Sequence, residues 1–384
     1  MMWLFLILLV PWSTLIAWAF TGQLPGAWLV LRRWVDHKLG VGPIPTKMKR
    51  NRPTRNYVGI PQGPRMTYED AGVSRDRAFE AVSTIKTMTR DTHTPAVTLA
   101  EFAGIYEFDK AHHSLIASTD GVGTKTRFLM ERMDSPEEAC NVLGRDIVHH
   151  SVNDILVHGG RPLFFLDYIA AGRIDPLRMS TLVAAMANAC KSHGCVILGG
   201  ETAEMPSVYT SDLDLEIVGT IVGEVRPGNI IDGSAVREGD IIYGIASSGP
   251  HTNGYSLLAK LYPPGDDALV DFPELFAPHR SYFPDIYPLL ENTKTQPIHG
   301  LVHVTGGGWN ENTARILKHS ECGVAWEEFP FSPLYEDIKA RAKLTREEMM
   351  DTFNCGFGML VIGSPDFIPP GHWARVGSIE RRVP

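Results

Sequence analysis

Residues 136–172 read PEEACNVLGRDIVHHSVNDILVHGGRPLFFLDYIAAG, and the order of signals inside this stretch sets the fold class. The first part, 136–158, has helical apolar spacing: Val148, Val152, Ile155 and Leu156 make a stripe along one side. Asp146, His150, Asn153 and Asp154 recur at i, i+4, i+7 and i+8, which gathers four polar groups on the adjoining face. LFFLDYI at 163–169 then reads as a strand, a short apolar run bounded by turn residues. A helix feeding a buried-looking strand predicts a mixed α/β protein. The polar row lacks the Lys and Glu mixture of a solvated face, so it is expected to line a site.

Working outward, 114–119 (SLIAST), 195–198 (CVIL), 215–225, 240–246, 301–304 and 357–362 also read as strands, while 177–192, 254–262 and 309–319 have helical spacing. The turn-rich connection VRPGNIIDGSAVREGD at 225–240 divides the globular part, giving expected domains at 66–228 and 229–384. Residues 1–65 differ in kind. They open with 20 uncharged residues, about the length that spans a bilayer core, and carry a net +8, which leaves −16 for residues 66–384. Because the basic residues follow the apolar run, an anchor there would leave the globular part on the cytoplasmic side. The alternative reading starts translation at Met66 and makes the leader upstream sequence; neither reading touches the chemistry downstream. The protein is therefore expected to be cytoplasmic, with membrane contact only through residues 1–20.

The acidic globular part offers no basic face for nucleic acid. Five cysteines without a CxxC pair suit neither a disulfide framework nor a structural zinc site, and Cys355 reads as a small buried residue. The adjacent pairs His112–His113 and His149–His150 make no chelate by themselves, since neighbouring residues point to different faces.

Four glycine-bearing stretches stand beside acids, hydroxyls or histidine: STDGVGTKTR (118–127), LGGETAEMP (198–206), SSGPHTNGYS (247–256) and HVTGGGWNEN (303–312). The last two lead from a strand into a helix, where free N–H groups and the helix dipole favour an anion. Asp120 and Asp154 form a hard oxygen pair of the sort that holds Mg²⁺ on phosphates.

Together these motifs resemble phosphoribosylformylglycinamidine cyclo-ligases over residues 67–362, in order from TYEDAGV through STDGVGTK, VNDILVHGGRPLFFLDYIAAG, GGETAEMP, IIDGS, SSGPHTNGYSL and HVTGGG to FNCGFGM. DILVHGGRP carries the family's Asp, Gly, small residue and Pro at Asp154, Gly159, Gly160 and Pro162. The resemblance implies an ATP-dependent ligase of purine synthesis, which closes formylglycinamidine ribonucleotide to aminoimidazole ribonucleotide. It further implies two α/β domains and a homodimer whose N-terminal halves share a β-barrel. Asp120, Asp154 and Glu201 are then expected on Mg²⁺, with Lys125 and Lys86 on phosphate charge and His251 in proton transfer. Gly121, Gly123, Thr124, Asn153, Gly306, Gly307 and Gly308 are expected around ATP. Two departures stand out: TPAVTLAEFAGIYEF has only Gly104 where the family has a glycine-rich substrate loop, and the C-terminus leaves little room for a late helix. The alternatives are another ATP-dependent enzyme of the superfamily or a catalytically silent, membrane-tethered scaffold.

Overall fold

The computed structural model describes residues 97–99, 104–109, 113–291, 297–318 and 320–382. The chain divides into two compact units, 1–59 and 60–384, and every described residue belongs to the second. The expected leader and Lys86 lie outside the described residues.

The first half contains strands β1 (Val97–Leu99), β2 (Gly104–Asp109), β3 (His113–Gly121), β4 (Arg161–Ala171), β5 (Val196–Glu204) and β6 (Leu215–Val225), with helices α1 (Lys125–Arg132), α2 (Pro136–Leu156) and α3 (Pro176–Ser192). Its sheet runs β1-β2-β3-β6-β4-β5; β4 and β5 are the parallel pair, connected through α3, and the other pairings are antiparallel. On β6 alternate residues face inward, and Ile217 and Ile221 pack under α2 beside Phe165 and Ile169 of β4. Each such fully buried side chain contributes roughly 1.5–3 kcal/mol.

The second half contains β7 (Ile241–Ala246), α4 (Tyr255–Leu261), α5 (Ala268–Asp271), α6 (Phe283–Glu291), β8 (Ile298–His303), α7 (Gly308–Ile316), β9 (Cys322–Trp326), α8 (Pro333–Ala342), α9 (Arg346–Met350), β10 (Phe357–Gly363) and β11 (Ala374–Arg381). Its antiparallel sheet runs β8-β10-β7-β11-β9. One face, with Ile242, Leu360 and Val302, joins the core shared with α4, α7 and α8; the other, with Tyr243, Val361 and Leu301, packs on α6 and on Leu156 and Val157. The end of α2 therefore touches the second sheet while its body lies on the first. That position is what gives α2 its functional face.

Several expected elements need correction at their ends. β5, expected over 195–198, runs on through Gly199, Gly200 and Glu201 to Glu204, so LGGETAE is strand. The C-terminal stretch, expected to leave little room for a late helix, supplies a strand, β11, between β7 and β9. A bulge between Arg375 and Gly377 interrupts the two-residue alternation, which is why the pattern was hard to see.

Candidate functional site

The site grows from the C-terminal end of α2. Ser135 caps the helix start by accepting from the Glu138 N–H, and Pro136 sits at the first position, where no N–H is needed. The helix ends at Leu156, and the turn after it closes at Gly159, whose φ of +81° is the left-handed conformation this turn requires; a Cβ there would also meet the Asn229 carbonyl at 2.4 Å. Fifteen of the 21 residues of α2 are buried, and Asp146, His150, Asn153 and Asp154 are all among them. The polar row is thus an interior face directed at the second half of the molecule.

Two members of that row have a mainly structural task. Asp146 Oδ1 accepts from the His279 backbone N–H at 2.6 Å, and its other oxygen lies 2.8 Å from Lys125 Nζ. Lys125 is wholly buried and also donates to the Ala277 carbonyl at 2.7 Å. The expectation of Lys125 as a phosphate partner is therefore corrected: its charge is already matched by a buried carboxylate. Asn153 likewise donates to the Arg280 carbonyl at 2.9 Å and accepts from the Tyr282 N–H at 2.9 Å. Rather than contacting nucleotide, Asn153 and Lys125 pin the segment 277–282 against α2.

The other two members face a cluster of imidazoles. His150 Nε2 stands 2.8 Å from Asp120 Oδ2 and 3.6 Å from Asp154 Oδ2, while its Nδ1 is 2.8 Å from Thr252 Oγ1. His303 Nδ1–H donates to Asp154 Oδ1 at 2.8 Å, and Ser118 Oγ–H donates to Asp154 Oδ2 at 3.0 Å. Asp120, at the end of β3, is half-exposed; Asp154 is buried. Burial opposes charge on His150, yet Asp154 and Asp120 outweigh it and raise the imidazole to about 9. For Asp120 burial also works against the charge, and the neighbouring His150 holds the carboxyl below its ordinary value.

His251, from the loop between β7 and α4, is stacked on His279 with ring centres 3.9 Å apart, and its backbone has φ +63°. Burial drives His251 and His279 well below 6.5, with the neighbouring cations adding to the effect. Neither ring nitrogen of His251 and not Nδ1 of His279 has a hydrogen-bond partner among the described residues. Each such buried orphan costs about 1–3 kcal/mol.

Glu201 is placed elsewhere. Asp120 pairs with Gly219, Gly219 with Asp167, and Glu201 with the next residue along, Tyr168, so Glu201 points to the opposite face of the sheet. Two strands also intervene, a separation of about 14 Å between β3 and β5. Within one protomer Glu201 does not complete the Asp120–Asp154 pair.

The glycines fall on both sides of the question. β3 ends at Gly121, the chain turns through Gly123 with φ +68°, and Thr124 precedes α1 without a capping hydrogen bond, its hydroxyl sharing one with Ser256 instead. Gly307 and Gly308 begin α7 with left-handed φ, and a Cβ on Gly308 would strike the Met350 carbonyl at 1.9 Å, so close packing alone already demands glycine. Gly306 lies beside Asn253, whose buried Nδ2 has no partner among the described residues. Asn253, Thr252, His279 and Ser118 were not singled out from sequence. The first two adjoin His251 in SSGPHTNG, a signal that was available; His279 stands in no glycine motif at all.

Two α/β halves whose junction carries a carboxylate and imidazole site define a two-domain enzyme class. Residues 100–225 match the AIR synthase related protein N-terminal domain, and residues 237–366 match the corresponding C-terminal domain. A phosphoribosylformylglycinamidine cyclo-ligase from Magnetococcus marinus is 42% identical over 318 residues, covering 77% of this chain and 86% of the relative. Another, from Leptospira interrogans, is 40% identical over 317 residues, covering 79% and 90%. The chain belongs to the phosphoribosylformylglycinamidine cyclo-ligase family, a family of ligases. Among solved structures, thiamine monophosphate kinase from Aquifex aeolicus shares the fold at a TM-score of 0.55 and 15% identity, covering 80% of this chain and 96% of that one. The complex of AaThiL with AMPPCP and TMP does so at 0.56 and 16%, covering 78% and 91%.

Proposed function

We propose that this protein converts formylglycinamidine ribonucleotide and ATP to aminoimidazole ribonucleotide, ADP and phosphate, at the junction of its two halves. The observation that carries the reading is the meeting of Asp120, Asp154 and His303 around His150, at the junction of the two halves. ATP supplies the phosphoryl group that turns the formyl oxygen into a leaving group, after which the amidine nitrogen closes the ring. Catalysis of this kind is mostly positioning and charge stabilisation.

The donor set fits Mg²⁺: Asp120 and Asp154 offer carboxylate oxygens that both approach His150 Nε2, and Asp120 is open to a phosphate. The cation, bound there, neutralises phosphate charge. Before it binds, the His150 imidazolium balances the two carboxylates. His303 and Ser118 orient Asp154, so its direction is preset. His251 serves as a neutral imidazole, able to accept a proton at a ring nitrogen that has no protein partner. Asn253 Nδ2 and the backbone N–H groups of Gly123 and Gly306 are the donors we assign to phosphate oxygens, while the Gly121 N–H donates to Asp120 Oδ1 at 2.6 Å and holds that carboxylate.

The open face of the first sheet supports a homodimer. Tyr106, Tyr168, Val196 and Leu198 are exposed on that sheet, and the register puts Leu115, Ala117, Val218 and Val222 on the same side. An apolar face of this extent on a soluble enzyme calls for a partner surface, and a second copy closing the barrel implied by the family would cover it. Glu201 lies on this face and so enters the reading only through the dimer. Among the described residues no helix is long and apolar enough to cross a membrane.

The test is turnover by the full chain supplied with formylglycinamidine ribonucleotide, ATP and Mg²⁺, with ADP and the aminoimidazole product both quantified. Equal formation of the two is expected. Folded protein that yields neither product would refute the enzyme reading and favour the scaffold.

A further inference from the structure

Beyond the Mg²⁺ and nucleotide reading, we infer that His150, His279 and His303 form a binding site for a borderline transition-metal cation of the zinc class. One ring nitrogen from each histidine lies within 4.8 Å of the other two, and all three side chains are buried. His303 Nε2 and His279 Nε2 face each other at 3.1 Å, close to the roughly 3.3 Å that separates two nitrogens on one tetrahedral zinc. Three imidazoles suit Zn²⁺, Co²⁺ or Ni²⁺ and are poor ligands for Mg²⁺, so donor chemistry separates this site from the neighbouring carboxylate pair.

The surroundings are those of a prepared ligand set. His303 gives its other ring N–H to Asp154 at 2.8 Å, the carboxylate–histidine arrangement that fixes tautomer and ring direction in metal sites. His150 Nδ1 meets Thr252 Oγ1 at 2.8 Å, which leaves Nε2 for the cluster. The backbone of His279 is held by Asp146, itself held by Lys125, so this ring is delivered to the site by a buried ion pair. An independent sign is the surplus of unpartnered nitrogen: His279 Nδ1 and both nitrogens of His251 lack hydrogen-bond geometry to any described group. His251 stacks against His279 and walls the cluster. The cation ties α2 of the first half to two segments of the second.

The test uses the full chain, stripped with a chelator and titrated with Co²⁺ alone and then Zn²⁺, without nucleotide. One Co²⁺ per chain with the strong visible d–d absorption of a four-coordinate site is expected, displaced by Zn²⁺, and the thermal midpoint should rise with either ion. His279→Gln should weaken binding at least tenfold, whereas His113→Gln, at an exposed position on β3, should leave it unchanged. Weak, featureless Co²⁺ uptake, or uptake indifferent to His279→Gln, would overturn the proposal and make the cluster a hydrogen-bonded packing network. Should His279→Gln misfold, X-ray absorption on zinc-loaded wild type decides: fewer than three imidazole ligands overturns it. Mg²⁺–ATP binding measured on the same zinc-free protein keeps this outcome separate from that of the cyclo-ligase reading.

Discussion

The two sheets of this molecule are built from similar residues and finished differently. In the second, β8 and β10 are buried along almost their whole length, because helices and the end of α2 cover both faces. In the first, α2 and α3 cover one face only, and β5 presents Val196 and Leu198 to solvent. The difference teaches that the second sheet is a finished core, whereas the first is half of one. The site lies on the seam between them, where α2 serves both.

The comparison breaks most visibly under matched substitutions. Leu360→Asp in β10 buries an unpaired charge in the finished core and should cost more than about 4 kcal/mol, enough to abolish the cooperative unfolding transition. Leu198→Asp on β5 should change the stability of the isolated protomer by less than about 0.5 kcal/mol while shifting sedimentation toward monomer. Equal effects at the two positions would mean that the faces do not differ as described.

At the seam, Lys125→Met leaves Asp146 buried and alone, for an expected loss of about 3–5 kcal/mol by denaturant titration. A variant of near-native stability with a raised KM for ATP would return Lys125 to the phosphate role. Asp154→Asn keeps its shape and its contact with Ser118, so folding should survive, but kcat should fall at least 100-fold, equivalent to about 2.7 kcal/mol. Steady-state rates across a Mg²⁺ series check this, and wild-type-like rates would remove the metal from Asp154.

The smallest effect concerns pH. His149 and His193 lie where α2 and α3 meet the 277–283 segment; burial pushes both imidazoles down, His149 to about 3. Their folded-state values are depressed, so the stability they contribute is present above about 6.5 and is lost as pH falls toward the folded values. The unfolded chain then binds protons that the folded one refuses, at up to about 1.4 kcal/mol per pH unit for each histidine. Denaturation midpoints from pH 7 to 5 should fall in wild type and fall less steeply in His193→Gln, where His149 still contributes.

Much of this was legible along the chain, and the misses share a cause. Helix α2, strands β3, β4, β6, β7 and β10 and the polar row at 146–154 follow from periodicities that need no knowledge of neighbours. β11 escaped because a bulge broke its alternation, and the face that Glu201 takes depends on a sheet register that local spacing does not show. Lys125 was misread for a different reason. A lysine after glycines has the same local signature whether it meets a phosphate or a buried aspartate, and only packing distinguishes the two.

By itself, then, the sequence determined the family, the α/β class and the helix face that carries Asp154, because each is written in local spacing or in ordered motifs. Tertiary structure alone decided that residues as distant as Asp120, His150, His279 and His303 share one site. No local rule encodes that meeting. It arises because α2 spans both halves and a buried ion pair holds the 277–282 segment where His279 can reach it.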